Sequence, residues 1–242
     1  MIVALAQIQP KYGDIAYNLA SQETFIRQAS ASGADMIVFP ELSITGYEPS
    51  LAQALATDPN DPRFQMFQEL TDQLNITVIT SSPLRTTHGI TISLLIYQAG
   101  TPVQLYSKQF LHSDEAAVFV PEKHAYSLEM EANIGLAICY ELSVEEHIGS
   151  YLDKGLDIYL TSAAKTAKGC EAAHKRLAAL AKKFEIMTLF VNSIGPCDGV
   201  ISHGRSAAWN SRGEKLEELS RDTEGLLLIN TEKQAVHQAM HI

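Results

Sequence analysis

Cysteine is scarce in this sequence. The three that occur, Cys139, Cys170 and Cys197, are too few and too scattered for the disulfide framework of a small secreted protein. The N-terminus lacks the basic segment, apolar stretch and cleavage site of a secretory signal, and no apolar run is long enough to span a bilayer. We therefore predict a cytoplasmic protein, in a reducing compartment and without a membrane partner.

Positive charge is also sparse. The 242 residues include 18 lysines and arginines against 28 acidic residues, a formal net charge of −10. Binding to nucleic acid or to anionic membranes depends on basic patches, so we predict neither partner. The sequence has no linker rich in glycine, serine or proline and no internal repeat. We predict a single domain over residues 1–242, with the polar residues 231–242 as a C-terminal arm.

Apolar runs alternate with amphipathic stretches along the chain. Residues 2–9 and 35–39 are typical of buried strands, and the helical pattern between them, over residues 14–32, ends at a glycine. Such a strand–helix–strand unit predicts parallel pairing. Further strands are predicted at 76–81, 89–97, 103–108, 125–131, 134–138, 157–161, 186–192, 205–209 and 226–230, and helices at 64–74, 144–153 and 169–184.

Two connections matter for the topology. The strands at 205–209 and 226–230 are expected to pair around the turn at 211–213, and residues 46–61 are expected to form a loop. Parallel units mixed with hairpins predict two sheets packed face to face, with helices outside.

Cys139 lies at a predicted strand-to-helix corner. The apolar run 134–138 ends at the cysteine, and residues 143–147 have the composition of a helix start. Such a corner presents a side chain at the edge of a sheet, and a helix N-terminus lowers the pKa of a thiol and so favours the nucleophilic thiolate. The alternative is a buried cysteine that acts only as a small hydrophobic residue.

Two further polar residues stand at the ends of predicted strands. Glu41 follows the strand 35–39, and Lys108 ends the strand 103–108. Taken alone, Glu41 could be a solvated loop acid, and Lys108 an exposed lysine at a sheet edge. Together with Cys139, however, they provide an acid–base group, a cation and a nucleophile at three strand ends, as in many α/β active sites. A glutamate in a water-poor pocket has a raised pKa and can replace the histidine base, for which we find no evident candidate.

Three segments contain these residues in order: FPELSITGY at 39–47, YSKQFLH at 106–112 and GLAICYE at 135–141. They resemble the glutamate, lysine and cysteine motifs of the carbon–nitrogen hydrolase, or nitrilase, superfamily. The similarity extends over most of the chain, and on that resemblance the chain is identified as an amidase-like member. The resemblance implies an α/β fold, namely a four-layer αββα sandwich with two mixed β-sheets.

The resemblance also implies roles for the site residues. Glu41 would be the general base and acid, Lys108 the oxyanion stabiliser and Cys139 the nucleophile, and the backbone N–H of Tyr140 would complete the oxyanion hole. A second glutamate that positions the lysine would be Glu115, with Asp114 and Glu122 as close rivals. The implied chemistry needs no metal ion and no organic cofactor.

The candidate substrate-binding residues are Tyr47 and Lys165. Tyr47 ends the glutamate motif. Lys165 lies in the stretch 162–165, of sequence SAAK, where many relatives have a proline and a tryptophan that shape the substrate pocket. Small residues there indicate a different or wider pocket. Lys165 could meet an acidic group of the substrate, or it could be a solvated loop charge.

These observations predict a thiol hydrolase that cleaves the non-peptide C–N bond of a small linear amide through a cysteine thioester, releasing ammonia or an amine. Two alternatives stay open: a hydrolase of nitriles or N-carbamoyl compounds, and a binding protein that kept the fold but lost turnover. The resemblance implies an even-numbered homo-oligomer, most simply a homodimer, formed through the helices at 144–153 and 169–184.

Overall fold

A computed structural model describes residues 1–123 and 126–241. The helices are α1 (Ile15–Ala31), α2 (Ala52–Leu55), α3 (Gln65–Leu74), α4 (Glu145–Leu152) and α5 (Ala167–Phe184). The strands are β1 (Ile2–Gln7), β2 (Met36–Val38), β3 (Thr77–Thr86), β4 (Gly89–Tyr97), β5 (Gln104–Ser107), β6 (Leu128–Glu129), β7 (Asn133–Ile138), β8 (Ile158–Ala163), β9 (Met187–Asn192), β10 (Ile194–Cys197), β11 (Val200–His203), β12 (Ala207–Trp209), β13 (Lys215–Glu218), β14 (Gly225–Asn230) and β15 (Ala235–His241).

Two large mixed sheets are built from these strands. One has the order β15-β14-β1-β2-β3-β4-β5, and the other has the order β13-β12-β9-β8-β7-β6. In each sheet the central strands run parallel, β1 to β2 to β3 and β7 to β8 to β9, because a helix returns the chain between them. Antiparallel strands then extend each sheet on both sides.

Side-chain alternation along the central strands accounts for the layers. Val3 and Leu5 of β1 belong to the apolar core between the sheets, which they share with Leu136 and Ile138 of β7. Ala4 and Ala6 of β1 point the other way and pack, with their neighbours in the same sheet, against α1 and α3. A third apolar cluster joins the outer face of the second sheet to α4 and α5. The predicted αββα sandwich is therefore confirmed.

The first strand–helix–strand unit and the strands β4 and β5 match the prediction, but the pairing near the C-terminal end does not. We predicted that residues 205–209 and 226–230 pair around the turn at 211–213. Around that turn β12 instead pairs with β13, whereas β14 lies in the other sheet between β1 and β15. The residues predicted to form a polar arm contribute β15, an antiparallel edge strand.

Smaller differences concern short elements. The predicted loop at 46–61 contains a 3-10 turn (Pro49–Leu51) and the single helical turn α2. The hairpin of β10 and β11 was not predicted. The strand predicted at 125–131 is reduced to β6, and residue 125 lies outside the described residues. Within the described part of the chain, no helix combines the length and the apolar character that a bilayer crossing requires.

Candidate active site

The three residues predicted from strand ends converge where the two sheets face each other. Glu41 lies just beyond β2 and Lys108 just beyond β5, both in the seven-stranded sheet, and Cys139 directly follows β7 of the six-stranded sheet. The chain turns sharply at two of these places, because Leu42, next to Glu41, has φ of 50° and Cys139 has φ of 46°. Both residues are therefore in the left-handed region, which side chains other than glycine adopt at a cost.

Lys108 joins two carboxylates in a buried cluster. Its Nζ donates hydrogen bonds to Oε1 of Glu41 at 2.7 Å and to Oε1 of Glu115 at 2.6 Å. The side chains of all three residues are at most 1% exposed. Tyr47 donates its hydroxyl to the same oxygen of Glu115 at 2.8 Å, and the backbone N–H of His112 donates to the other at 2.8 Å. Glu115 is thus fixed on both oxygens.

Of the three acids considered as the second glutamate, Glu115 is the one whose carboxylate accepts a hydrogen bond from the Lys108 ammonium. Asp114 is exposed and lies 3.2 Å from Nδ1 of His112. Glu122 is half-buried, and its backbone N–H donates to the carbonyl of Lys108. Burial and contacts of the side chain distinguish Glu115 from its neighbours, and neither property is visible in the sequence.

The cluster leaves one carboxylate oxygen free. Among the described residues, Oε2 of Glu41 is buried without a hydrogen-bond partner. Burial raises the pKa of Glu41, and the charge of Glu115 adds to the rise, while Lys108 opposes it. Burial alone would lower the pKa of Lys108, but the negative charges around it raise that pKa above its usual range. Glu41 therefore has the properties of a proton-exchanging group, and Lys108 those of a permanent cation.

Cys139 is partly exposed, and its thiol lies within the field of this cluster. Burial and the charge of Glu41 raise the pKa of the thiol, while Lys165 and Lys108 oppose the rise. The prediction that a helix N-terminus lowers this pKa is wrong. The residues after Cys139 form a short 3-10 turn, Cys139–Ser143, and α4 begins only at Glu145, with no side-chain cap.

The remaining predicted residues surround the thiol. Tyr140 is the second residue of the 3-10 turn, and its exposed ring packs edge-on against His112 at 5.3 Å between ring centroids. Lys165 follows β8 and is half-buried, and its charge opposes the rise in the pKa of the Cys139 thiol. Tyr47, Tyr140 and Lys165 are therefore brought to the same site as Glu41, Lys108, Glu115 and Cys139. In the described residues, no group of three or more His, Cys, Asp or Glu side chains is arranged to hold a metal ion.

A family model described as carbon-nitrogen hydrolase matches residues 2–239. The chain belongs to the carbon–nitrogen hydrolase family. This is the family that the three sequence motifs resemble, and the matching description is that of hydrolases of carbon–nitrogen bonds.

Curated relatives of this carbon–nitrogen hydrolase include a glutamine-dependent NAD(+) synthetase from Synechocystis sp., 26% identical over 88% of the chain. They also include an (R)-stereoselective amidase from Pseudomonas sp., 24% identical over 92% of the chain. The chain spans 43% of the length of that synthetase and 82% of the length of that amidase.

Among solved structures, an amidase from Nesterenkonia sp. is similar with a TM-score of 0.86 and 25% identity, covering 94% of this chain and 89% of the other. A structure of the Nesterenkonia sp. AN1 amidase in complex with butyramide also has a TM-score of 0.86, with 24% identity and the same coverage. These neighbours share the fold of this carbon–nitrogen hydrolase over nearly its whole length.

One residue of the hydrolase site was not singled out from the sequence. Glu141, in the cysteine motif, is fully buried and accepts hydrogen bonds from the hydroxyl of Tyr106 at 2.7 Å and from the backbone N–H of Ile138 at 2.7 Å. Its other oxygen accepts from the backbone N–H of Gln109 at 2.5 Å and of Phe110 at 3.3 Å. One carboxylate thereby joins the residue before Cys139 to the residues after Lys108.

Burial raises the pKa of Glu141 to about 7, although the hydrogen bonds that it accepts oppose the rise. Beyond Tyr106 the contacts continue to the two ring nitrogens of His147, one 2.7 Å from the Tyr106 hydroxyl and the other 2.7 Å from the hydroxyl of Tyr159. An acid two residues after Cys139, close to the end of a buried strand, was the available sequence signal for this network.

Proposed function

We propose that the protein is an amidase that hydrolyses a small linear amide through a thioester on Cys139. The observation that carries the proposal is the buried bridge of Lys108 between Glu41 and Glu115, beside the only cysteine of the three that is not fully buried. A cation, a proton-exchanging carboxyl and a thiol then surround one point, as acyl transfer requires.

The proposed reaction has two halves. In the first, the thiol of Cys139 gives its proton to Glu41, the sulfur bonds to the amide carbon, and the oxygen takes up the negative charge beside Lys108 and the backbone N–H of Tyr140. The oxyanion then collapses, the C–N bond breaks, and the nitrogen leaves with the proton from Glu41. In the second half, Glu41 takes a proton from water, and the hydroxide adds to the thioester. The C–S bond then breaks to release the acid, and Glu41 returns its proton to the sulfur of Cys139.

Similarity to amidases supports a simple amide as the substrate. The Nesterenkonia sp. AN1 amidase has been solved with butyramide, and in another structure with the acetamide moiety of fluoroacetamide covalently added at its active-site cysteine. This chain covers most of the length of such amidases but less than half of the NAD(+) synthetases that it matches. The small amides in these amidase structures are the reason that we propose a free small amide as the substrate.

The test is release of ammonia by the purified protein from butyramide, propionamide, glutamine, small N-carbamoyl compounds and nitriles. We expect turnover of at least one small amide, and a loss of at least about 10⁴-fold in Cys139→Ala, because the nucleophile is removed. Turnover confined to nitriles or carbamoyl compounds would replace the amidase proposal with the corresponding hydrolase. Release that persists in Cys139→Ala would overturn the proposed nucleophile.

We further propose that the protein is a homodimer that pairs through α4 and α5, the helices next to the cysteine turn. The exposed ion pairs of Glu145 with Arg176 and Lys183 tie these helices to each other and give their outer surface mixed charge. We expect sedimentation equilibrium to give twice the chain mass of 26.5 kDa. A species that stays at the chain mass at micromolar concentration would contradict the dimer.

A further inference from the structure

Lys165 lies just beyond the end of β8, the strand next to the one that Cys139 follows. Strands β7 and β8 are parallel, with Ile138 paired to Ser162, so the residues that follow the two strands meet at one sheet edge. There, burial alone would lower the pKa of Lys165, but the charges of Cys139 and Glu41 raise it. The side chain is half-buried, unlike a solvated loop lysine.

The backbone of Lys165 is held independently of its side chain. Its N–H donates to Oδ1 of Asn192 at 2.7 Å. Its carbonyl accepts from Nδ2 of Asn192 at 3.1 Å, from the hydroxyl of Ser202 at 3.3 Å and from the N–H of His203 at 2.9 Å. Gly169 in the next turn leaves room for the lysine stem, since a Cβ there would lie 3.2 Å from Cβ of Lys165. The side chain can therefore be changed while these backbone contacts remain.

The charges around Cys139 indicate why a second lysine, Lys165, matters beside the sulfur. Glu41, Glu115 and Lys108 are two carboxylates and one ammonium, and both hydrogen bonds of that ammonium described above go to the carboxylates. When Cys139 gives its proton to Glu41, the negative charge moves from that carboxylate to the sulfur. A buried charge without a partner is strongly unfavourable. Lys165 is the second cation close to the sulfur.

We propose that Lys165 is a catalytic residue whose ammonium stabilises the thiolate of Cys139. This inference deepens the proposed amidase function and rests on it. When the thiol proton moves to Glu41, the electron pair left on sulfur faces the Lys165 ammonium before it bonds to the amide carbon. When the thioester is hydrolysed, the C–S bond breaks, and its electron pair returns to sulfur beside the same ammonium. Lys165 keeps its own proton in both steps.

The pH dependence of the thiol reflects every group that faces it. The charged and titratable side chains whose fields reach Cys139 or Lys165 are Glu41, Tyr47, Lys108, Glu115, Cys170 and Cys197. Burial raises the pKa of Cys170 and of Cys197 to about 12, so these two thiols are unreactive internal references at neutral pH.

The test is the rate at which iodoacetamide alkylates Cys139 in the full chain, followed by peptide mass analysis from neutral to mildly alkaline pH. The variants are Lys165→Met and, as a matched control, Lys168→Met, an exposed lysine in the first turn of α5. Loss of an adjacent cation raises a thiol pKa by about one to two units, and the more basic thiolate recovers about half of that in reactivity. We expect Lys165→Met to react about three- to tenfold more slowly at neutral pH, with its pH midpoint displaced upward.

Iodoacetamide is uncharged, so its reaction separates this role from recognition of an acidic substrate. If Lys165→Met and Lys168→Met are alkylated with the same pH profile, the proposal is wrong. If Lys165→Met only raises KM for acidic amides and keeps kcat and the alkylation profile, Lys165 binds substrate and the proposal is also wrong. Lys165→Gln provides a second uncharged variant should the methionine variant fail to fold. Because alkylation needs no turnover, this result is independent of whether amides are substrates.

Discussion

Replacing Lys108 with methionine is expected to abolish hydrolysis and to lower the free energy of unfolding by about 3–5 kcal/mol. The stem of the side chain is kept, but Glu41 and Glu115 lose the ammonium that both contact within 2.7 Å. Removing one partner of a buried ion pair costs more than the pair contributes, because it leaves charges buried without compensation. Denaturant unfolding gives the stability, and ammonia release gives the activity.

The loss of stability in Lys108→Met is expected to depend on pH. Burial already raises the pKa of Glu41, and Lys108 opposes that rise, so its removal raises the pKa further. A carboxyl with a higher pKa in the folded than in the unfolded state binds its proton more tightly when folded. The contribution of Glu41 to stability is therefore fully present below its pKa in the unfolded state, about 4.5. It is lost as the pH rises through its higher pKa in the folded state. We expect a larger destabilisation at mildly alkaline than at mildly acidic pH.

Two further variants test this explanation of the Lys108→Met result. Lys175→Met removes an exposed lysine of α5 and is expected to change stability by less than about 0.5 kcal/mol. The double variant Lys108→Met with Glu115→Gln removes one buried carboxylate as well, so it should regain part of the stability without regaining activity. A single variant Lys108→Met that unfolds like Lys175→Met would contradict the buried charge cluster.

Replacing Glu141 with alanine is expected to cost about 4 kcal/mol or more of stability and about 10²-fold in kcat. Its carboxylate accepts from the backbone N–H groups of Ile138, Gln109 and Phe110, and alanine would leave these donors buried without acceptors. Ile138 precedes Cys139 and Gln109 follows Lys108, so the same contacts set the distance between the nucleophile and the cation. Displacements of about 1 Å at a reacting group typically cost that much in rate.

Tyr106→Phe is the matched control for Glu141→Ala. It removes the hydroxyl that donates to Glu141 at 2.7 Å and leaves the backbone donors with their acceptor. We expect a loss of about 1 kcal/mol, with kcat within about threefold of the unsubstituted protein. Should both variants lose kcat equally, or should Glu141→Ala retain it, the carboxylate does not position the two motifs. A KM for the amide that stays constant while kcat falls would support positioning.

The central strands of both sheets could be predicted because strands buried on both faces have apolar sequences, which are recognisable from the local composition. Residues 134–138 are apolar without interruption, and residues 186–192 are apolar except for Thr188 and Asn192, as is typical of strands covered on both faces. β13 could not be predicted in this way, since its sequence, KLEE, is charged and partly exposed. Without it, the apolar β14 was the available partner for β12, and only the tertiary structure shows that β14 completes the opposite sheet beside β1.

The site residues also fall into two groups: those that the local sequence reveals and those whose position depends on the tertiary structure. Glu41, Lys108 and Cys139 were recognisable because each interrupts the end of an apolar strand, where a polar group has a cost. Glu115 could not be separated from Asp114 and Glu122, because only the direction of the chain after Lys108 decides which carboxylate turns inward. Lys165 was visible as a charge, but its position beside the sulfur depends on the pairing of β7 with β8, which is a property of the sheet.

The backbone conformation of Cys139 is an unfavourable one for any residue other than glycine. With φ at 46°, the residue sits in a conformation that glycine adopts freely and that other residues adopt at an expense of order 1 kcal/mol. A sequence optimised for stability alone would have glycine at this position and no thiol. At position 139, stability therefore favours glycine, whereas the proposed chemistry requires cysteine. The nucleophile is kept at the expense of backbone stability.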